Sequence, residues 1–192
     1  MSDPSIEQRL RALESSLAEM QDRETIRQLL NRYARALDWL DEALLETVFF
    51  DDAEIDYGFF RGNAKEFRTV VMDIERNLGR RWHFSAQEKI HLRGDIADVE
   101  SYSISIGSEH ECGVEGSAYS QFVGLYRDRI ERRDGVWRIA ARKYIVLATA
   151  TVPEATLDGP LGQLNVIGKA SPSNPLFDRL GDVVAETDAS VG

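Results

Sequence analysis

Two residues stand out because their types break the pattern around them. Leu30, Ala34 and Asp38 fall on one i, i+4 row of an apolar helical stretch, beside Tyr33 and Leu37. A carboxylate where that row should continue either caps a helix end in water or faces an interior cavity. His83 stands in the run WHFSAQ, at the start of a strand-like segment and between Trp82 and Phe84. Alone, it reads most simply as a structural histidine with its hydrogen bonds satisfied. Together the two form an acid/base unit. A carboxylate on one ring nitrogen fixes the tautomer and leaves the other nitrogen free to accept a proton.

Other residues could complete such a site. Tyr33 and Tyr57 each offer a phenol donor on an apolar ring. Arg142 could place a fixed cation where charge develops on an oxygen, or serve only as a sheet-surface ion pair. Trp39, Phe59, Phe60, Trp82 and Phe84, with Phe49, are candidates for the lining of a dry pocket. His91 and His110 lack partners at metal-ligand spacing, and His110–Cys112 is not a zinc pattern, so no metal is expected. The sequence has no phosphate-cradling glycine loop, nucleophile elbow or dinucleotide fingerprint. An enzyme with this sequence is expected to work without a cofactor, by side-chain chemistry alone.

The chain that must position these groups has 192 residues and ordinary globular proportions, 43% hydrophobic and 29% charged. Its formal charge of −10 argues against nucleic acid as a partner. The basic runs RNLGRR and RDRIERR are interrupted and offset by acids, so they read as solvated faces. No apolar run approaches the roughly 18 residues of a membrane span, and the first residues, MSDPSIEQRL, lack a signal-peptide core. With a single cysteine, Cys112, this predicts a cytoplasmic protein with no membrane partner.

The first forty residues read as helix, in two apolar series. Leu10, Leu13, Leu17 and Met20 form one; Ile26, Leu29, Leu30, Tyr33 and Leu37 form the other. The polar QDRE between them predicts a break near Gln21–Asp22. Residues 1–24 then form a helical arm, lying on its own domain or against another subunit. A short helix is expected over Asp41–Phe49, capped by Asp41, then a strand ending at Gly58 and a third helix over Asn63–Leu78 closed by Gly79. From Trp82 the period becomes two, giving strands over Trp82–Leu92, Ala97–Ile106, Ala118–Glu131 and Val136–Ala148. Asp134–Gly135 is a hairpin turn signal, and Gly94–Asp95 a weaker one. Helices followed by a strand meander predict α+β: helices packed on a curved, mainly antiparallel sheet over residues 25–150. The tail, 151–192, is broken by Pro and Gly and leaves room for a short helix over Pro175–Ala185. It could cover the pocket or contact another subunit.

The runs IRQLLNRYARALDWLDEALLETVFFDDAEIDYG and YRDRIERRDGVWRIAARKYIV, with WHFSAQ between them, resemble SnoaL-like domains of the nuclear transport factor 2-like superfamily. The likeness covers roughly Thr25 to Thr149. It implies a cone-shaped α+β fold and a homo-oligomer, dimer or trimer. Within that superfamily the pattern is similar to hexachlorocyclohexane dehydrochlorinase, scytalone dehydratase and bile acid 7α-dehydratase, which use a His–Asp dyad for cofactor-free elimination. The resemblance implies that Asp38 and His83 form the dyad, that Tyr33 and Tyr57 are pocket phenols, and that Arg142 supports them. The function it implies is a lyase that loses water, halide or formaldehyde from a small apolar, aromatic or alicyclic substrate. An isomerase or polyketide-type cyclase, and a non-catalytic binding or oligomerisation module, are the alternatives. Ser101, Ser103, Ser105 and Ser108 match no pocket position of the family.

Overall fold

A computed structural model describes residues 5–110, 113–166 and 170–174. Ser5 starts α1 (Ile6–Trp39) with a capping box, its hydroxyl taking the Gln8 amide hydrogen while the Gln8 side chain accepts from the Ser5 amide. The helix then runs unbroken for 34 residues and ends where Leu40 turns left-handed, φ 57°. The break expected near Gln21–Asp22 is not there. QDRE contains neither Gly nor Pro, and its side chains tie the helix down instead of ending it. Asp22 accepts from Arg132 and from the Trp137 indole, both at 2.8 Å, and Arg23 donates to the Ile90 carbonyl at 3.0 Å.

Asp41 caps α2 (Glu42–Glu46) and Asn63 caps α3 (Ala64–Arg76), each accepting from a backbone amide three residues on. The C-cap expected at Gly79 is instead Asn77. Gly79 serves close approach: a Cβ there would lie 2.6 Å from the Glu109 carbonyl oxygen.

The strands are β1 (Phe49–Asp56), β2 (Arg61–Asn63), β3 (Arg80–Arg93), β4 (Ile96–Ser108), β5 (Ala118–Arg133) and β6 (Val136–Pro153). They form one sheet in the order β2-β1-β6-β5-β4-β3, antiparallel except where β1 runs parallel to β6. Asp134 and Gly135, at φ 51° and 80°, make the expected β5–β6 turn. A 3-10 turn over Gly159–Gln163 follows β6. The residues suggested as a helix over Pro175–Ala185 lie outside the described ones, as does Cys112.

The core is built by alternation on the strands and by the second apolar series of α1. Ile26, Leu29, Leu30 and Leu37 pack with Phe49, Phe67, Ile130 and Ile139. One register point is strict. Gly124 pairs with Val146 across the β5–β6 ladder, diagonal to Tyr144, and a Cβ there would lie 2.2 Å from the phenol ring. Gly124→Ala is therefore expected to cost about 1–3 kcal/mol in denaturant unfolding, because the ring cannot yield without leaving the aromatic cluster. An unchanged midpoint would show that Tyr144 does not occupy that space.

Candidate active site

The site is made where α1, α3 and the start of β3 meet. Asp38 lies in the last turn of α1, Glu75 in the last turn of α3, and Arg81 and His83 on the inward face of β3. Asp38, Glu75 and Arg81 are buried, and His83 nearly so. His83 Nδ1 lies 2.8 Å from Asp38 Oδ1, a hydrogen bond in which the ring N–H donates when the carboxylate is ionised. The pairing expected from sequence is thus brought together.

The second ring nitrogen does not open onto an apolar space. His83 Nε2 faces Glu75 Oε1 at 3.6 Å, too long for a hydrogen bond but well within ion-pair range. Glu75 in turn lies 3.5 Å from Arg81 Nε, and Arg81 also donates to the Leu78 carbonyl. Sequence reading missed both residues. Glu75 reads as an ordinary solvent-facing acid, and Arg81 as one of a basic run. The available signal was positional, since Met72 and Glu75 share an i, i+3 row of α3, and Arg81 and His83 share a strand face.

Burial raises the Asp38 and Glu75 carboxyl pKa values above their ordinary range, with His83 and Arg81 pulling back. Burial lowers Arg81, against the pull of Glu75 and Asp38. For His83, burial alone would favour the neutral ring. The Asp38 hydrogen bond and the charges of Glu75 and Asp38 outweigh it, and the pKa is raised above 6.5. The imidazolium is therefore the favoured form to a higher pH than usual, and the ring becomes a base only as pH rises past the raised value.

A second polar group lies deeper. The Tyr33 and Tyr57 hydroxyls are 2.8 Å apart. Burial raises both phenols well above their ordinary pKa, so they remain protonated donors. Glu75 also contributes to the rise at Tyr33, which puts that carboxylate within electrostatic reach of both groups. Arg142 is in this group, but not as a free cation. Its guanidinium makes a bidentate pair with Asp128, both bonds 2.7 Å, and lies over the rings of Tyr33 and Tyr126 at 4.3 and 4.2 Å. Its Nη1 and the buried Ser101 hydroxyl have no hydrogen-bond partner among the described residues. Ser108 instead donates to the Ala118 carbonyl.

The aromatic residues expected to line a pocket divide. Trp39 is buried, and Phe60 packs at a tilt against Phe67 of the core, ring centroids 5.4 Å apart. Trp82 is half-buried. Phe59 and Phe84 are 67% and 60% exposed, which corrects the expectation for both. Phe84 must face outward because His83 and Ser85 on either side face in, and Phe59 sits in the turn between β1 and β2.

A depression of about 970 Å³ is lined by exposed Lys89, Arg127 and Lys143 and by the buried Asp128 and Arg142, and by none of Asp38, Glu75 and His83. A smaller recess of about 310 Å³ borders the cluster through Arg81 and is closed on one side by Ala170 of the tail. Among the described residues no group of three or more His, Cys, Asp and Glu side chains could hold a metal ion, and no helix is long and apolar enough to cross a membrane.

Two predictions follow from this geometry. By ¹⁵N NMR titration, His83 should titrate above 6.5, and Glu75→Gln should lower its pKa by removing one of the charges that raise it. A His83 value at or below 6.5 in the unaltered protein would contradict the cluster. Asp128→Ala should cost about 3–5 kcal/mol in stability by leaving the Arg142 charge buried without a partner. A loss below 1 kcal/mol in urea unfolding would place the guanidinium in water.

Comparison with known proteins agrees with this architecture. A family model described as a SnoaL-like domain matches residues 18–143. A solved hexachlorocyclohexane dehydrochlorinase from Novosphingobium barchaimii LL02 is 19% identical, with 76% of this chain and 99% of that one covered and a TM-score of 0.64. A candidate scytalone dehydratase from Novosphingobium aromaticivorans DSM 12444 is 18% identical over 84% of this chain and 97% of that one, with a TM-score of 0.60. An NTF2-like protein with a cystatin-like fold from the same species is 26% identical over 72% and 90%, with a TM-score of 0.62. The α+β architecture and the matched span together make this chain a member of the SnoaL-like domain family, with an NTF2-like fold.

Proposed function

We propose that the protein is a cofactor-free lyase acting on a small, largely apolar aromatic or alicyclic molecule by general acid/base catalysis. The observation that supports the reading is the 2.8 Å bond between Asp38 and His83 Nδ1, which fixes the ring and leaves Nε2, beside Glu75 at 3.6 Å, as the nitrogen without a hydrogen bond. Neutral His83 accepts a proton at Nε2, from carbon or from a hydroxyl. Taken from carbon, the C–H electron pair becomes the new double bond, and the bond to the leaving group breaks with its electrons. Taken from a hydroxymethyl group, the O–H pair becomes the C=O of formaldehyde, the C–C pair becomes the new double bond, and the leaving group on the next carbon departs with its electrons. Asp38 and Glu75 stabilise the imidazolium that forms. Where the leaving group is a hydroxyl, it departs as water on taking a proton from an acid; Glu75, whose carboxyl is biased toward its neutral form by burial, and the Tyr33–Tyr57 pair are the candidates.

The unpaired Nη1 of Arg142 and the Ser101 hydroxyl support a substrate that carries oxygen, since a buried donor without a partner favours a ligand that supplies one. Arg142 contributes mainly by holding the Tyr33 and Tyr126 rings in place. Structural neighbours that bear the names dehydrochlorinase and dehydratase are consistent with elimination, although their identity to this chain is low.

The test is a panel of β-hydroxy and β-halo carbonyl compounds and aryl-substituted 1,3-diols. The readouts are alkene formation and release of halide or formaldehyde, and a mass-neutral product would favour an isomerase or cyclase instead. Asp38→Asn and His83→Ala should each lower the elimination rate by about 10²–10⁴-fold. Turnover that survives His83→Ala undiminished would remove the proposal's base.

A further inference from the structure

The first turns of α1 present an apolar stripe that the domain does not use. Ile6, Leu10, Leu13, Leu17 and Met20 follow one another at spacings of four, three, four and three residues. That is the seam of a left-handed coiled coil, with Leu10 and Leu17 at a positions and Ile6, Leu13 and Met20 at d positions. Every residue from Ser5 to Gln21 is exposed, and the five seam residues are between 54 and 83% exposed. Among the described residues, Asp22 and Arg23 are the first of α1 to bond another element. The segment is thus a free helical arm about 22 Å long, continuous with a helix that the core holds in place.

The charges beside the seam indicate what covers it. In this register Arg9 and Arg23 occupy g positions, and Glu7 and Glu14 occupy e positions. In a parallel, in-register pair, each g residue meets the e residue five positions on in the partner, which sets Arg9 against Glu14 twice. Neither Arg9 nor Glu14 has an ion-pair partner among the described residues, whereas Glu7 and Glu19 are paired within the helix, to Arg11 and Arg23. An antiparallel pair would bring e against e and g against g, placing Glu beside Glu and Arg9 beside Arg23.

We propose that this arm is a self-association surface, which joins a second copy of the chain through a parallel, in-register coiled coil. Pairing buries the five apolar residues against their own counterparts and satisfies the two unpaired charges with one geometry. About two heptads make a weak zipper on their own, so the association is concentration-dependent.

The test uses the full chain in analytical ultracentrifugation at several concentrations. The unaltered protein should sediment at a higher mass than Leu10→Glu/Leu17→Glu. Both positions lie outside the core, so circular dichroism of the variant should retain the β signal. Arg9→Glu should weaken association by about tenfold, and adding Glu14→Arg to it should restore the association. In a Cys112→Ser background, Leu10→Cys should cross-link to itself under mild oxidation. Equal masses for the unaltered protein and the Leu10/Leu17 variant would overturn the proposal. So would cross-linking of Leu10→Cys only to a Met20→Cys chain, the signature of an antiparallel pair.

Discussion

An imidazole packed between two buried carboxylates is stable only if the charges around it sum to something near zero. Asp38, Glu75, His83 and Arg81 meet that condition when all are ionised, and equally when one proton moves from His83 to Glu75. The two states differ by a single proton shift across 3.6 Å. Burial raises both carboxyls, and their joint field raises the histidine, so the cluster holds its proton more tightly than any isolated member would. Removing a charged partner leaves a net charge in a low-dielectric space unless another member changes its protonation state. That restriction explains why three separate elements must end at the same place.

The fold supplies those ends. α1 and α3 present Asp38 and Glu75 from their last turns, and β3 presents Arg81 and His83 two residues apart on one face. The same sheet holds a second charge pair, Arg142 with Asp128, clamped between the Tyr33 and Tyr126 rings. Tyr33 belongs to the helix that carries Asp38, five residues earlier. The buried arginine therefore fixes the rotation of α1 and, through it, the direction of the Asp38 carboxylate. Stability and chemistry are coupled along that helix.

Much of this was legible in the sequence, and the reasons differ by element. The strands and helices announced themselves through clean period-two and i, i+4 patterns, and Asp134–Gly135 through its turn chemistry. Asp38 was visible because a carboxylate interrupted an apolar row. Glu75 was not, because a surface helix carries acids everywhere and only its tertiary neighbours bury this one. Arg142 reads from sequence either as a cation for substrate or as a sheet-surface ion pair, and no local pattern reveals that its partner is Asp128, across the β5–β6 ladder, or that the pair is buried. Phe59 and Phe84 were assigned to a pocket on aromatic character alone, while strand alternation and a turn sent them outward. The predicted break in α1 failed for a related reason: QDRE is polar, but polarity without Gly or Pro does not stop a helix that tertiary hydrogen bonds hold at that point.

The central claim is that Asp38 and His83 are bonded through Nδ1, with Glu75 beside the other nitrogen. The most direct measurement is the imidazole N–H region of the proton NMR spectrum. The account predicts a downfield resonance from the His83 Nδ1 proton that persists in Glu75→Gln and disappears in Asp38→Ala. A spectrum without that resonance across the accessible pH range, or one that keeps it when Asp38 is replaced, would contradict the account.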